Sequence, residues 1–107
     1  MARYLPQPEP GEIRLRELLH ALGDDVRLRI VRVLADGRYH PCQVDEFGID
    51  LHKSTLSHHF KVLREAGVTT TELLGRNHQV RLRIEDLESR FPGLVTSVIA
   101  ALTREPG

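Results

Sequence analysis

The chain has 107 residues, enough for one compact domain and too few for two ordinary ones. Hydrophobic residues make up 40% and charged residues 28%, the balance of a soluble globular protein, and with aromatics at 5% the core has to be mainly Leu, Val and Ile. Lys plus Arg and Asp plus Glu are both 15, a formal charge of zero that by itself argues against a nucleic-acid partner.

No apolar run approaches the ~20 residues of a bilayer span, so no membrane partner is expected. The opening MARYLPQPEPGE has no apolar centre of the kind a secretory signal carries. Cys42 is the single cysteine and has no partner for an internal disulfide. Together these features predict a cytoplasmic protein.

Along the chain, Pro6 to Gly11 alternates prolines with polar residues, and residues 1–11 read as an extended lead-in to one domain over residues 12–103. A helical pattern begins at Glu12, with Leu15, Leu18, Leu19 and Leu22 on one apolar face. Gly23 ends it, and Asp24 or Asp25 is placed to cap a second helix from about Val26 to Ala35. A short third helix fits between Pro41 and Phe47, with Pro41 in its first turn. Gly48-Ile49-Asp50 then connects to a fourth helix from about Lys53 to Ala66, which Gly67 terminates.

After Gly67 the period changes to two. Val68 to Leu74 and Gln79 to Ile84 read as a hairpin around the turn Gly75-Arg76-Asn77-His78, with Val80, Leu82 and Ile84 on the inner face. Glu85 to Arg90 forms a short polar helix, Phe91-Pro92-Gly93 interrupts it, and Leu94, Val95, Val98, Ile99 and Leu102 repeat at helical spacing. The fold class is mainly α with a small β-hairpin, in the order helices, hairpin, helix.

The fourth helix carries the chemistry. Leu56, Phe60 and Leu63 form its apolar stripe, and Ser54, Ser57, His58, Lys61 and Glu65 lie opposite. Hydroxyls, imidazole and ammonium groups on one short helix face are the donors that phosphates and base edges accept. The charge count supports that reading once it is taken by segment. Residues 52–83 hold six basic and two acidic side chains, whereas residues 1–51 hold seven and nine, and residues 84–107 hold two and four. The overall zero is a cancellation between a basic centre and acidic flanks.

The string Ser57-His58-His59-Phe60-Lys61-Val62-Leu63-Arg64-Glu65-Ala66-Gly67 resembles the recognition helix of the ArsR-type winged helix-turn-helix repressors. Gly75-Arg76 with Arg81-Leu82 resembles their wing, and Asp25 to Ile30 is similar to the opening of their second helix. The likeness runs over roughly residues 12–84. It implies a homodimeric transcriptional repressor that occludes a promoter by binding double-stranded operator DNA at an inverted repeat. Lys53, Ser54, Thr55, Ser57, His58 and Lys61 are the expected helix contacts, and Arg76 and His78 the expected wing contacts. His59 flanks the apolar stripe and suits a packed histidine bonded to backbone at least as well as a DNA contact.

The resemblance also implies that the first and last helices form the dimer interface, through Leu15, Leu18, Leu19, Leu22, Leu94, Val95, Val98, Ile99 and Leu102. Two apolar stripes are more than one subunit of this size needs, so one is expected as core and the other as the dimer seam; the alternative is that both pack within one subunit. Competing classes are a winged-helix module that docks a protein partner, and a metal or thiol sensor built on His40 and Cys42, where metal-sensing relatives carry a Cys-x-Cys pair. One thiol and one imidazole supply half of a tetrahedral site, so no metal or other cofactor is expected, and no pattern identifies an effector. No phosphate loop, H-E-x-x-H or nucleophile elbow is present, and an enzyme is the least favoured class.

Overall fold

The computed structural model describes residues 3–105. Its helices start and stop where side-chain chemistry dictates. Helix α1 spans Leu15–Leu22 and α2 spans Asp25–Val33. Asp24 caps α2 by accepting the Arg27 backbone N–H at 3.0 Å. A 3-10 turn, Leu34–Asp36, ends that helix at Gly37, so the second helix is shorter than its apolar period suggests.

Strand β2 follows at His40–Pro41, then α3 at Val44–Phe47 and α4 at Lys53–Glu65. Strands β3 and β4 occupy Thr69–Leu74 and Asn77–Leu82. The chain closes with α5, Ile84–Arg90, and α6, Leu94–Arg104. Between them, the Glu88 carboxylate accepts the Gly93 and Thr96 N–H groups at 3.1 and 3.2 Å, which satisfies the start of α6 after the Pro92 break.

Several sequence expectations need correction. The first helix begins at Leu15 and not at Glu12, because Pro10–Glu12 makes a 3-10 turn and Ile13 is pulled into the core. Pro41 lies in a strand and not in the first turn of a helix. It pairs with Gln79 on β4, while Cys42 N–H donates to the His78 carbonyl. Donating positions alternate along an antiparallel edge, so Pro41 falls where the missing N–H is harmless. His78 belongs to β4, which leaves Gly75-Arg76 as the turn, and Ile84 opens α5.

The sheet is larger than a hairpin. Its order is β1-β3-β4-β2, where β1 is Arg3–Tyr4 at the end of the lead-in. Arg3 pairs with Leu73 and Tyr4 with Glu72. Beyond β1 the lead-in is tied down by Leu5 N–H to the Thr71 carbonyl at 3.0 Å, Thr70 Oγ1 to Gln7 Oε1 at 2.6 Å, and Arg83 Nη1 to the Pro8 carbonyl at 2.8 Å.

One apolar core links these parts, running from Ile13 through Ile30, Phe47, Leu63 and Val80 to Leu102. Gly67 sits at its tightest point. It leaves α4 with φ +86°, and a Cβ there would lie 2.5 Å from Ile13 Cγ1. Only glycine combines the left-handed backbone with that close approach.

Candidate nucleic-acid interface

Helix α4 packs on α1, α2 and β3. Leu56, Phe60 and Leu63 are buried, and the Phe60 ring meets Phe47 edge-on at 5.4 Å. With that stripe buried, Lys53, Ser54, Thr55, Ser57, His58 and Lys61 are all exposed. His52, at the helix start, gives no side-chain cap, so the first-turn N–H groups point outward with the positive end of the helix dipole.

The wing stands beside this helix. Strands β3 and β4 pair from Thr69 opposite Leu82 to Leu74 opposite Asn77, and Gly75, at φ +63°, turns the chain. Helix and wing enclose a cleft of about 620 Å³. Lys53, Ser57 and Lys61 line it from the helix side, and Arg76 and His78 from the wing side. Five of the eight residues expected to contact DNA therefore share one concavity. Ser54, Thr55 and His58 lie outside it, on the solvent face of α4.

Arg64 also lines the cleft, and sequence reading missed it. Its Nε is buried without a hydrogen-bond partner. The signal was present in the spacing, since Ser57, Lys61 and Arg64 are i, i+4 and i+7 on a helix. Gln79 and Asn77 complete the wing side of the cleft.

A family model for the bacterial regulatory proteins of the arsR family matches residues 24–70, from the cap of α2 into β3. An HTH-type transcriptional regulator of Bacillus subtilis, YceK, is 35% identical over 83 residues, covering 77% of this chain and 83% of that protein. The HTH-type transcriptional regulators CmtR of Mycobacterium bovis and Mycobacterium tuberculosis are 33% identical over 98 residues, covering 92% of this chain and 82% of theirs. The chain belongs to the arsR family. It is an HTH-type transcriptional regulator, and its helices and small antiparallel sheet form the winged helix-turn-helix.

In this ArsR-family protein α4 is also held from behind. Arg27, 9% exposed, donates from Nε to the Ala21 carbonyl at 2.6 Å, and its Nη1 lies 3.2 Å from His59 Nδ1. A guanidinium only donates, so His59 Nδ1 accepts and the ring is neutral. Burial pushes the His59 pKa below the usual histidine value, and Arg27 and His58 push the same way, against Asp24. His59 is thus packed, as one expectation had it, but its partner is a side chain of α2 and not backbone.

His40 and Cys42 do not converge on a shared site. His40 Nδ1 meets Glu46 Oε2 at 2.6 Å and His40 Nε2 meets Asp36 Oδ2 at 2.9 Å, so both ring nitrogens are engaged by carboxylates. Burial pulls the His40 pKa down, but the bonds to Asp36 and Glu46 and their charges together raise it. Cys42 lines the cleft floor, and burial pushes its thiol up to about 11 against the opposing pull of Arg64. A thiol with that value is a weak nucleophile at neutral pH. Among the described residues no group of three or more His, Cys, Asp or Glu side chains is arranged to hold a metal ion. No helix among them is long and apolar enough to cross a membrane.

The residues expected at a dimer seam divide by burial. Leu18, Val95 and Leu102 are buried within the subunit. Leu22, Leu94, Val98 and Ile99 are half-buried against the core, and Leu15 and Leu19 are 47% and 50% exposed. Leu18 and Leu22 share one apolar crevice with Leu94, Val95 and Val98, so α1 and α6 border the same crevice.

Proposed function

We propose that this regulator is a homodimeric repressor that occludes a promoter by binding an inverted repeat in duplex DNA. The observation that carries the reading is the cleft between α4 and the wing, with lysines on one wall and Arg76 on the other. With α4 in a major groove and the wing tip over the neighbouring minor groove, the phosphate ridge between the grooves runs along that cleft. Ser54, Ser57 and His58 then face base edges, and Lys53, Lys61 and Arg76 hold phosphates. Two recognition helices are needed to read both half-sites. The leucines exposed on α1, beside α6, supply the apolar seam that pairs the subunits.

The test is a binding titration against salt, using a duplex from upstream of the protein's own gene. Log K should fall linearly with log salt, and Lys61→Ala should reduce the slope by about one unit. Absence of salt-dependent binding to that duplex at low ionic strength would overturn the reading.

A further inference from the structure

We infer that the N-terminal arm is a working part of the DNA surface, with Arg3 of β1 as a phosphate contact beside the wing. This rests on the reading of the cleft as the seat of a phosphate ridge. Leu5, at the end of the arm, bonds through its N–H to the Thr71 carbonyl and lines the cleft together with Thr71. Side chains two apart on an extended segment point to the same face of a sheet. Arg3 therefore faces the cleft side. Its register confirms this from the other strands: Arg3 pairs with Leu73, Leu73 pairs with His78, and His78 itself lines the cleft.

Arg3 lies closer to the wing tip than Leu5, next to the turn that carries Arg76. It is exposed and makes no ion pair among the described residues. The acidic residue nearest in register, Glu72, is opposite Tyr4 and belongs to the other face. The cation thus stands uncompensated at the rim of a basic cleft, where a phosphate is the matching ligand. Its tether is already ordered by the bonds of Leu5, Gln7 and Pro8 to the sheet and Arg83, so little chain entropy is lost on binding.

The experiment compares the full chain with Arg3→Ala, Arg3→Lys and Lys61→Ala in salt titrations, on the upstream duplex and on a duplex of scrambled sequence. Counterion release by one phosphate contact has a slope near 0.9, worth about fivefold in affinity at ~0.15 M salt. Arg3→Ala should lose that slope and about that factor on both duplexes, because a phosphate contact is blind to sequence, and Arg3→Lys should recover the slope. Unchanged melting temperatures would confirm that the loss is local. If Lys61→Ala lowers the slope while Arg3→Ala leaves it unchanged, the arm assignment fails and the cleft reading stands. If the unmodified chain shows no salt-dependent binding, the cleft reading itself fails.

Discussion

Arg27→Met removes the link between α1 and the back of the recognition helix while keeping an apolar stem of similar length in its place. The Ala21 carbonyl, near the C-terminal end of α1, would lose a donor at 2.6 Å in a buried setting. A buried acceptor left without a partner costs about 1–3 kcal/mol. Loss of the part-buried bond to His59 Nδ1 adds about 0.5–1.5 kcal/mol. The sum, about 1.5–4.5 kcal/mol, corresponds to a fall of roughly 6–30 °C in a domain of this size.

Thermal melts at pH 7.5 and fixed protein concentration measure this; concentration is held because the proposed dimer would melt by mass action. A second axis comes from pH. His59 takes up a proton less readily in the folded protein than at its ordinary value of 6.5, first through burial and then through Arg27 and His58. The unfolded chain therefore protonates first, and the stability held in this site is complete above about 6.5 and is lost as pH falls through the folded value. Removing Arg27 leaves Asp24 to pull the value back up, so the variant should lose less additional stability on acidification than the parent. A melting shift below about 3 °C at pH 7.5, or equal acid sensitivity in both proteins, would refute the coupling.

Gly67→Ala forces a left-handed alanine against Ile13, at about 1–2 kcal/mol for the backbone and about 1–3 kcal/mol for the displaced side chain. Its urea midpoint should drop by at least about 1 M. His40 has the opposite sign to His59: its raised pKa contributes stability that is full below 6.5 and is lost as pH rises through the folded value. His40→Gln should flatten the decline in melting temperature above pH 6.5, and an unchanged profile would remove His40 from that role. Leu15→Asp combined with Leu19→Asp changes two exposed positions, so folding should be retained while sedimentation shifts from dimer to monomer. A dimer that survives both charges would place the seam elsewhere.

Local pattern carried much of this structure. Asp24, Gly67 and Gly75 mark their boundaries by side-chain or backbone chemistry that acts within a few residues, and the polar face of α4 follows from its own period. Features that depend on distant partners were not legible. Nothing in His40-Pro41 announces a strand, because its pairing is with Val80 and Gln79, about forty residues on. Arg27 and Arg83 look like surface charges in the sequence. Each is buried because backbone carbonyls far along the chain or beyond a helix end need a donor, Ala21 for one and Pro8 for the other. Arg3 carries no local signal for a similar reason, since its position depends on a two-residue pairing with the far side of the wing.

The four-stranded sheet has a consequence for how the wing behaves. A lone two-stranded hairpin is marginal in water and would have to be immobilised each time it touched DNA. Here β1 covers one edge of the hairpin and β2 the other. The wing is thus a preformed strut fixed relative to α4, and its stiffness sets the reach between adjacent grooves. Duplexes whose groove width differs from that reach have to deform to fit. The protein should then discriminate partly by DNA shape, at base pairs that no side chain touches.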